Sequence, residues 1–242
     1  MPDDEFVSLL EQRRGKGRDD YPVRPMWNAM LAGIVFQHPS AASLLRELRR
    51  NGELRDLCGF DPLPGAAAVP SDDAFGRFLT VVMDEQNAVV EIFHRLAEKL
   101  RARLPGLGNK LAVDSKAIRS YGRPVKDEDK KNQEDRRRDL DANWGTKTYK
   151  GVRADGSNWE KTSHWFGYKL HLLVDSDYEL PLAFEVDKAS SADVTNLMPL
   201  VELIEDKHPE LAKDALELSA DKGYDSKANS RGLCCTWFAM VH

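Results

Sequence analysis

The stretch "ALELSADKGYDSK", residues 215–227, decides how the second half of this chain is read. Leu216, Leu218 and Ala220 alternate with polar residues, which is the period of a strand with one apolar face. Asp221 ends the run and Gly223 breaks it. A lone carboxylate at a strand end is ordinary turn chemistry. What Asp221 means therefore depends on the strand beside it.

Three further strands are expected upstream. "KLAVDSKAI" puts Leu111 and Val113 on one face and carries Asp114 near its end. "FGYKLHLLVD" alternates Phe166, Tyr168, Leu170, Leu172 and Val174 against Lys169 and His171. "LPLAFEVDKA" alternates Leu180, Leu182, Phe184 and Val186, and "DSDYE" joins it to the strand before as a hairpin turn. "SSADVTNLMPLVELIEDKHPELA" then reads as an amphipathic helix capped by Asp193 or Asn196, with Pro199 tolerable only in its first turn. Strand, strand, strand, helix, strand predicts antiparallel pairing first. A parallel strand then follows through a helical crossover.

The first half has period 3.6 instead. "PMWNAMLAGIVF" (25–36) is apolar on most sides and predicts a buried helix. Ser40 caps a following helix with Leu44, Leu45 and Leu48 on one face, and Asn51-Gly52 stops it. Ser71 caps another, with Asp72 and Asp73 at its positive end and Phe75, Phe78, Leu79 and Val82 sharing a face. A last helix over about 84–103 closes at Pro105 and Gly106. The expected organisation is a flexible tail over 1–20, a helical bundle over 21–108 and a sheet domain over 109–242. An insert over about 119–161, dense in both charge signs and poor in aliphatics, reads as a mobile surface loop. Its Trp144, Tyr149 and Trp159 either pin the loop down or meet unstacked nucleic acid.

Bulk properties narrow the function classes. The 242 residues carry 41% hydrophobic and 31% charged side chains, with mean hydropathy −0.53. No apolar run approaches the roughly 20 residues that cross a bilayer, and a cytoplasmic protein is expected. Cys58, Cys234 and Cys235 have neither disulfide-framework nor zinc spacing. The net charge of −5 weighs against a uniformly basic nucleic-acid binder but not against local basic patches. Such clusters occur at 13–18, 46–50, 99–103 and 136–138. Each alone is ordinarily a solvated helix face, although "RELRR" on a short helix also suits a helix-turn-helix DNA contact.

The chemistry rests on Asp114 and Asp221. If the crossover places their strands side by side and parallel, the two strand ends coincide, and such ends are where ligand sites form. Two carboxylates brought together raise each other's pKa unless a cation joins them. Hard oxygen ligands select Mg²⁺ or Mn²⁺, and a pair of such ions about 4 Å apart serves phosphoryl transfer.

"LAVDSKAI", "FGYKLHLLVD", "LPLAFEVDKASSADVTNLMPL" and "LELSADKGYDS" together resemble the RNase H-like core of bacterial insertion-sequence DDE transposases of the four and five kind. "FQHPSAASLLRELRRNGELRDLCGF" and "VPSDDAFGRFL" resemble the helical N-terminal domain that accompanies it. The resemblance covers about 21–230. It implies an α+β/α/β chain: an N-terminal helical bundle, then an incomplete RNase H-like mixed sheet with flanking helices. It also implies that Asp114 and Asp221 are the first two acids of the triad, catalytic and Mg²⁺-binding. The activity would be nicking at transposon ends followed by attack of a 3′-OH on target DNA. DNA ends, target DNA and a second copy of the chain are the implied partners. Lys116, Lys169 and Lys222 flank the acids and are candidates for phosphate contact. His164 and His171 are read as packed or surface histidines, and Glu185 as an exposed strand position in preference to a third acid.

The family's third acid lies on a helix well downstream of the second. Here 21 residues follow Asp221, and "LCCTWFAMVH" has no acid and no helical period. The expectation is a truncated or frame-shifted core with little strand transfer on its own. The competing reading is a non-catalytic DNA-binding remnant that inhibits transposition. A phosphatase with a strand-end Asp nucleophile fits less well, because Lys116 stands where a second Asp is usual.

Overall fold

The computed structural model describes residues 1–15, 20–124, 139–236 and 240–241. The chain divides into two units, Met1–Leu96 and Ala97–His242. Among the described residues the first unit is helical: α1 (Asp4–Arg14), α2 (Val23–Val35), α3 (Ala41–Arg50), α4 (Gly52–Cys58), α5 (Asp72–Asp84) and α6 (Gln86–Arg101), the last running past the division. The caps are those the sequence marks. Ser43 N donates to Ser40 Oγ at 3.2 Å, and Ala74 N donates to Ser71 Oγ at 3.2 Å. Asn51 does more than stop α3. Its Oδ1 accepts from Leu54 N at 3.0 Å and so starts α4 one residue later.

Two expectations for this unit are corrected. The stretch expected as a flexible tail contains α1, which buries Phe6, Val7 and Leu10 against Val23, Trp27, Val82 and Ile92. Asp3 anchors its start, with Oδ2 accepting from Trp27 Nε1 at 2.7 Å and pairing with Arg24 at 3.1 Å. Charge density hid three apolar residues at helical spacing. In addition, α2 is buried only along its first half, and Ile34 and Val35 at its end are 69% and 72% exposed.

The second unit is a mixed sheet with helices against it. Its elements are β1 (Lys110–Arg119), β2 (Asn143–Val152), β3 (Asn158–Asp175), β4 (Leu180–Lys188), α7 (Asp193–Lys207), α8 (Pro209–Asp214), β5 (Glu217–Ala220), α9 (Lys227–Thr236) and β6 (Met240–Val241). The path is β2-β3-β1-β5-β6, with β4 also on β3. β1 and β4 pair β3 antiparallel, and β5 joins β1 in parallel after the α7–α8 crossover. That is the topology the strand order predicted. The core is a single cluster in which Leu111, Val113, Leu173 and Leu218 of the sheet meet Leu197, Leu200 and Ile204 of α7.

The insert is the main departure. Residues 143–152 and 158–167 pair as a hairpin closed by "ADGS" at 154–157. Its strands are exposed on much of both faces, so no apolar alternation announces them. Thr, Tyr and Trp content with an Asp-Gly turn was the available signal. Residues 125–138, the centre of the expected loop, lie outside the described residues, as do Arg136–Arg138. Gly167 is where β3 passes from β1 and β4 to β2. Its φ is +150°, and a Cβ there would lie 2.2 Å from Ile118 O.

Three local readings also change. Ala192, not Asp193 or Asn196, precedes the first turn of α7, and Asp193 is its first residue. Pro199 lies in the second turn, where its missing N–H leaves the Thr195 carbonyl without the usual helical partner. The stretch after Asp221 forms α9, with Leu233 in the core, before the short β6.

Candidate active site

The last paired residues of the parallel β1–β5 ladder are Val113 and Ala220. Asp114 and Asp221 follow them at the same level. Asp114 lies within β1, not at its expected end, because β1 runs on against β3 as far as Arg119, and Asp221 lies just past the end of β5. Both are exposed. Asp114 Oδ1 accepts from Ser115 N at 2.7 Å. Asp221 leads into a 3-10 turn, Lys222–Tyr224, which is closed by Tyr224 N donating to Asp221 O at 2.9 Å.

Tyr224 anchors this turn from below. Its side chain is fully buried, and its hydroxyl lies 3.0 Å from His171 Nδ1. Burial pushes the phenol well above its ordinary value. The charges of Asp193, Asp114 and Asp221 add to that rise, while a hydrogen bond with Ser115 opposes it. All three acids thus lie within electrostatic reach of one hydroxyl. His171 is fully buried, and burial lowers its pKa against the pull of Asp193, so the imidazole is neutral near pH 7. Its Nε2 has no hydrogen-bond partner.

Asp193 was expected only as a cap. It stands instead at the edge of this site. Its Oδ1 accepts from Lys169 Nζ at 3.0 Å, and its Oδ2 would lie 3.2 Å from a Cβ placed on Gly223. No sequence period links residue 193 to residue 223, and only the crossover brings them together. Lys169 Nζ also donates to Ser191 O at 2.6 Å, and its side chain is 14% exposed. It is an internal tie between β3 and the start of α7. Lys116 and Lys222, by contrast, are exposed beside the two acids.

The remaining candidates are placed as follows. His164 lies within β3, exposed, with Nδ1 3.1 Å from Thr146 Oγ1. Glu185 is half-buried on β4 opposite His171, and burial, with Asp187 and Glu202 nearby, raises its pKa. The arginines of "RELRR" are engaged locally. Arg46 donates to Ala42 O, Arg49 to Pro70 O and Arg50 to Glu47. Arg101 of the 99–103 cluster pairs with Asp214 at 2.7 Å.

Among the described residues, no group of three or more His, Cys, Asp or Glu side chains is gathered to hold a metal. The donor set is a pair of exposed carboxylates. As hard oxygen donors they fit two positions of a Mg²⁺ or Mn²⁺ ion that keeps waters in its other positions.

The chain thus sets two exposed carboxylates at one level, where the parallel β1–β5 ladder ends. Residues 105–237 match the family described as "Transposase DDE domain". That span is more than half of the chain, and the chain belongs to this family, the DDE transposases of insertion-sequence type. No curated protein and no solved structure matches it. No helix among the described residues is long and apolar enough to cross a membrane.

Proposed function

We propose that this chain binds DNA and performs divalent-metal-dependent strand cleavage and transfer in transposition, with Asp114 and Asp221 as its metal-holding acids. The observation that carries this reading is the register that ends the parallel ladder at Val113 and Ala220, immediately before both acids. The strand order, with three antiparallel strands and then a crossover to a parallel one, supports an RNase H-like core.

In the first step water attacks the phosphorus at a transposon end. The P–O3′ bond breaks, and the released oxygen takes a proton to leave a 3′-OH. In the second step that 3′-OH attacks a target phosphodiester, forming a new P–O3′ bond and releasing a target 3′-OH. A bound divalent ion supplies Lewis-acid stabilisation of charge at the phosphorus and lowers the pKa of the nucleophile. The chain's own residues position it. Asp114 and Asp221 supply oxygen ligands, Tyr224 and His171 hold the turn that presents Asp221, and Lys116 and Lys222 meet phosphates. Lys169 acts through Asp193 and the start of α7. Self-association, with each copy engaging one end, belongs to the same reading.

The test is Mn²⁺-dependent nicking of labelled element-end DNA. Wild type nicks, and Asp114→Ala and Asp221→Ala each abolish nicking while DNA binding persists. Nicking that survives both changes removes these acids from the mechanism.

A second reading is favoured by one observation: among the described residues no third His, Cys, Asp or Glu joins the two carboxylates at the end of the parallel ladder. It is a DNA-binding chain that occupies transposon ends and inhibits an intact copy. Under it wild type does not nick, and adding the chain to an active transposase of the same element suppresses that enzyme's product.

A further inference from the structure

We propose that one face of the β2–β3 hairpin is a guide for an unpaired DNA strand leading to Asp114. This rests on the transposase reading and adds the form of DNA that the site receives. Residues paired across an antiparallel ladder share a face. The pairs Gly145–Trp165, Lys147–Ser163, Tyr149–Lys161 and Gly151–Trp159 therefore line one face. It carries three aromatics, two lysines and no carboxylate. The acid of the inner ladder, Glu160, sits on the other face and pairs with Lys150 at 3.0 Å.

The three aromatics are not equivalent. A Cβ at Gly145 would lie 2.4 Å from the Trp165 ring, and one at Gly151 would lie 2.5 Å from the Trp159 ring. Each indole lies over the glycine opposite and is part of the hairpin's own packing. Trp165 is 7% exposed, and its Nε1 donates to Tyr168 O at 2.9 Å. Tyr149, between them, is 45% exposed, with Lys147 Nζ 5.8 Å from its ring centre. It is the aromatic on this face left available to a ligand.

The face opens into a groove that also takes in Ser115, Lys116 and Arg119 of β1, and Lys116 shares Asp114's face of that strand. Among the described residues Asp193 is the one carboxylate lining this groove, and it is already paired with Lys169. A channel of cations with an open aromatic ring, reaching the part of β1 that carries Asp114, matches a single strand. Phosphates follow the cations, and a base stacks on the ring. Duplex DNA supplies the phosphates but hides its base faces, so it would leave Tyr149 unused.

The test is fluorescence anisotropy with labelled oligo-dT and with duplex of the same length, using the full chain. Oligo-dT is expected to bind more tightly than duplex. Tyr149→Ala should weaken oligo-dT by about five- to a hundredfold, and Tyr149→Phe should stay within about twofold of wild type. Lys147→Ala with Lys161→Ala should flatten the slope of log affinity against log salt by about 1.4, two phosphate contacts' worth. Melting temperatures of all variants should match wild type, since these side chains are solvent-facing. Asp114→Ala should bind oligo-dT normally. The inference is overturned if duplex binds as tightly as oligo-dT, or if Tyr149→Ala retains full affinity. The nicking assay is read separately. Strand binding without nicking sinks the catalytic reading alone, and nicking with Tyr149 neutral sinks the guide alone.

Discussion

Tyr224 and Asp175 show how much single buried polar groups fix in this chain. The Tyr224 hydroxyl ties the turn after β5 to His171 on β3 and to Ser115 on β1, so it holds together the neighbourhoods of both acids. Tyr224→Phe keeps the ring in the core but removes that tie. It should cost about 1–3 kcal/mol in urea unfolding. It should also lower Mn²⁺-dependent nicking at least about tenfold while oligo-dT affinity is unchanged. A purely structural role would lower stability and leave nicking intact well below the melting point. Asp175 is fully buried, and its carboxyl oxygens accept from the N–H groups of Gly108, Asp177 and Tyr178 at 2.7, 3.0 and 2.7 Å. Asp175→Ala strands one buried donor, Gly108 N–H, and frees two part-buried ones, and should destabilise the second unit by roughly 1–3 kcal/mol, measured by urea unfolding.

Among the elements, α1 gives the clearest dependence on conditions. Burial pushes the Asp3 carboxyl up, but hydrogen bonds from Trp27 and Arg24 outweigh it and hold the pKa below the ordinary Asp value. A lowered pKa contributes stability above the unfolded value of about 3.9, and loses it as pH falls through the folded value. Hydrogen-exchange protection of α1 should therefore drop on acidification below about pH 4, and Asp3→Asn should remove most of that step. Neither α1 nor the hairpin was legible as an element. In α1 the apolar spacing of Phe6, Val7 and Leu10 was diluted by six charged residues among positions 3–14. In the hairpin, the exposed faces carry lysine and threonine where a half-buried strand would show alternation. The elements that cover a core on one side, such as α3, α5 and β1, were read correctly because burial writes a period into sequence; β4 was not, since Leu182 and Ala183 are both buried and Val186 of its expected apolar face is exposed.

At the scale of the molecule, each unit has its own apolar clusters. Leu45 lies fully buried in the first, and Leu200 in the second. Leu45→Ala and Leu200→Ala should each cost about 2–5 kcal/mol. Hydrogen exchange should show the loss of protection in the unit that carries the change. The topology was legible in sequence because strand order and the handed crossover leave few alternatives. It also made legible that Asp114 and Asp221 follow the last pair of the parallel ladder. Asp193 and the His171–Tyr224 contact were not, because they join residues separated by 30 and 53 positions through packing alone.

β3 is one uninterrupted strand of 18 residues. At about 3.3 Å per residue it is a spar roughly 60 Å long. One end forms the outer ladder with Tyr149, and the other carries Lys169 and His171 beneath the acids. A spar has no slack. The proposed guide and the floor beneath the proposed acids therefore share one strand, and a one-residue shift of β3 against its neighbours would displace both together.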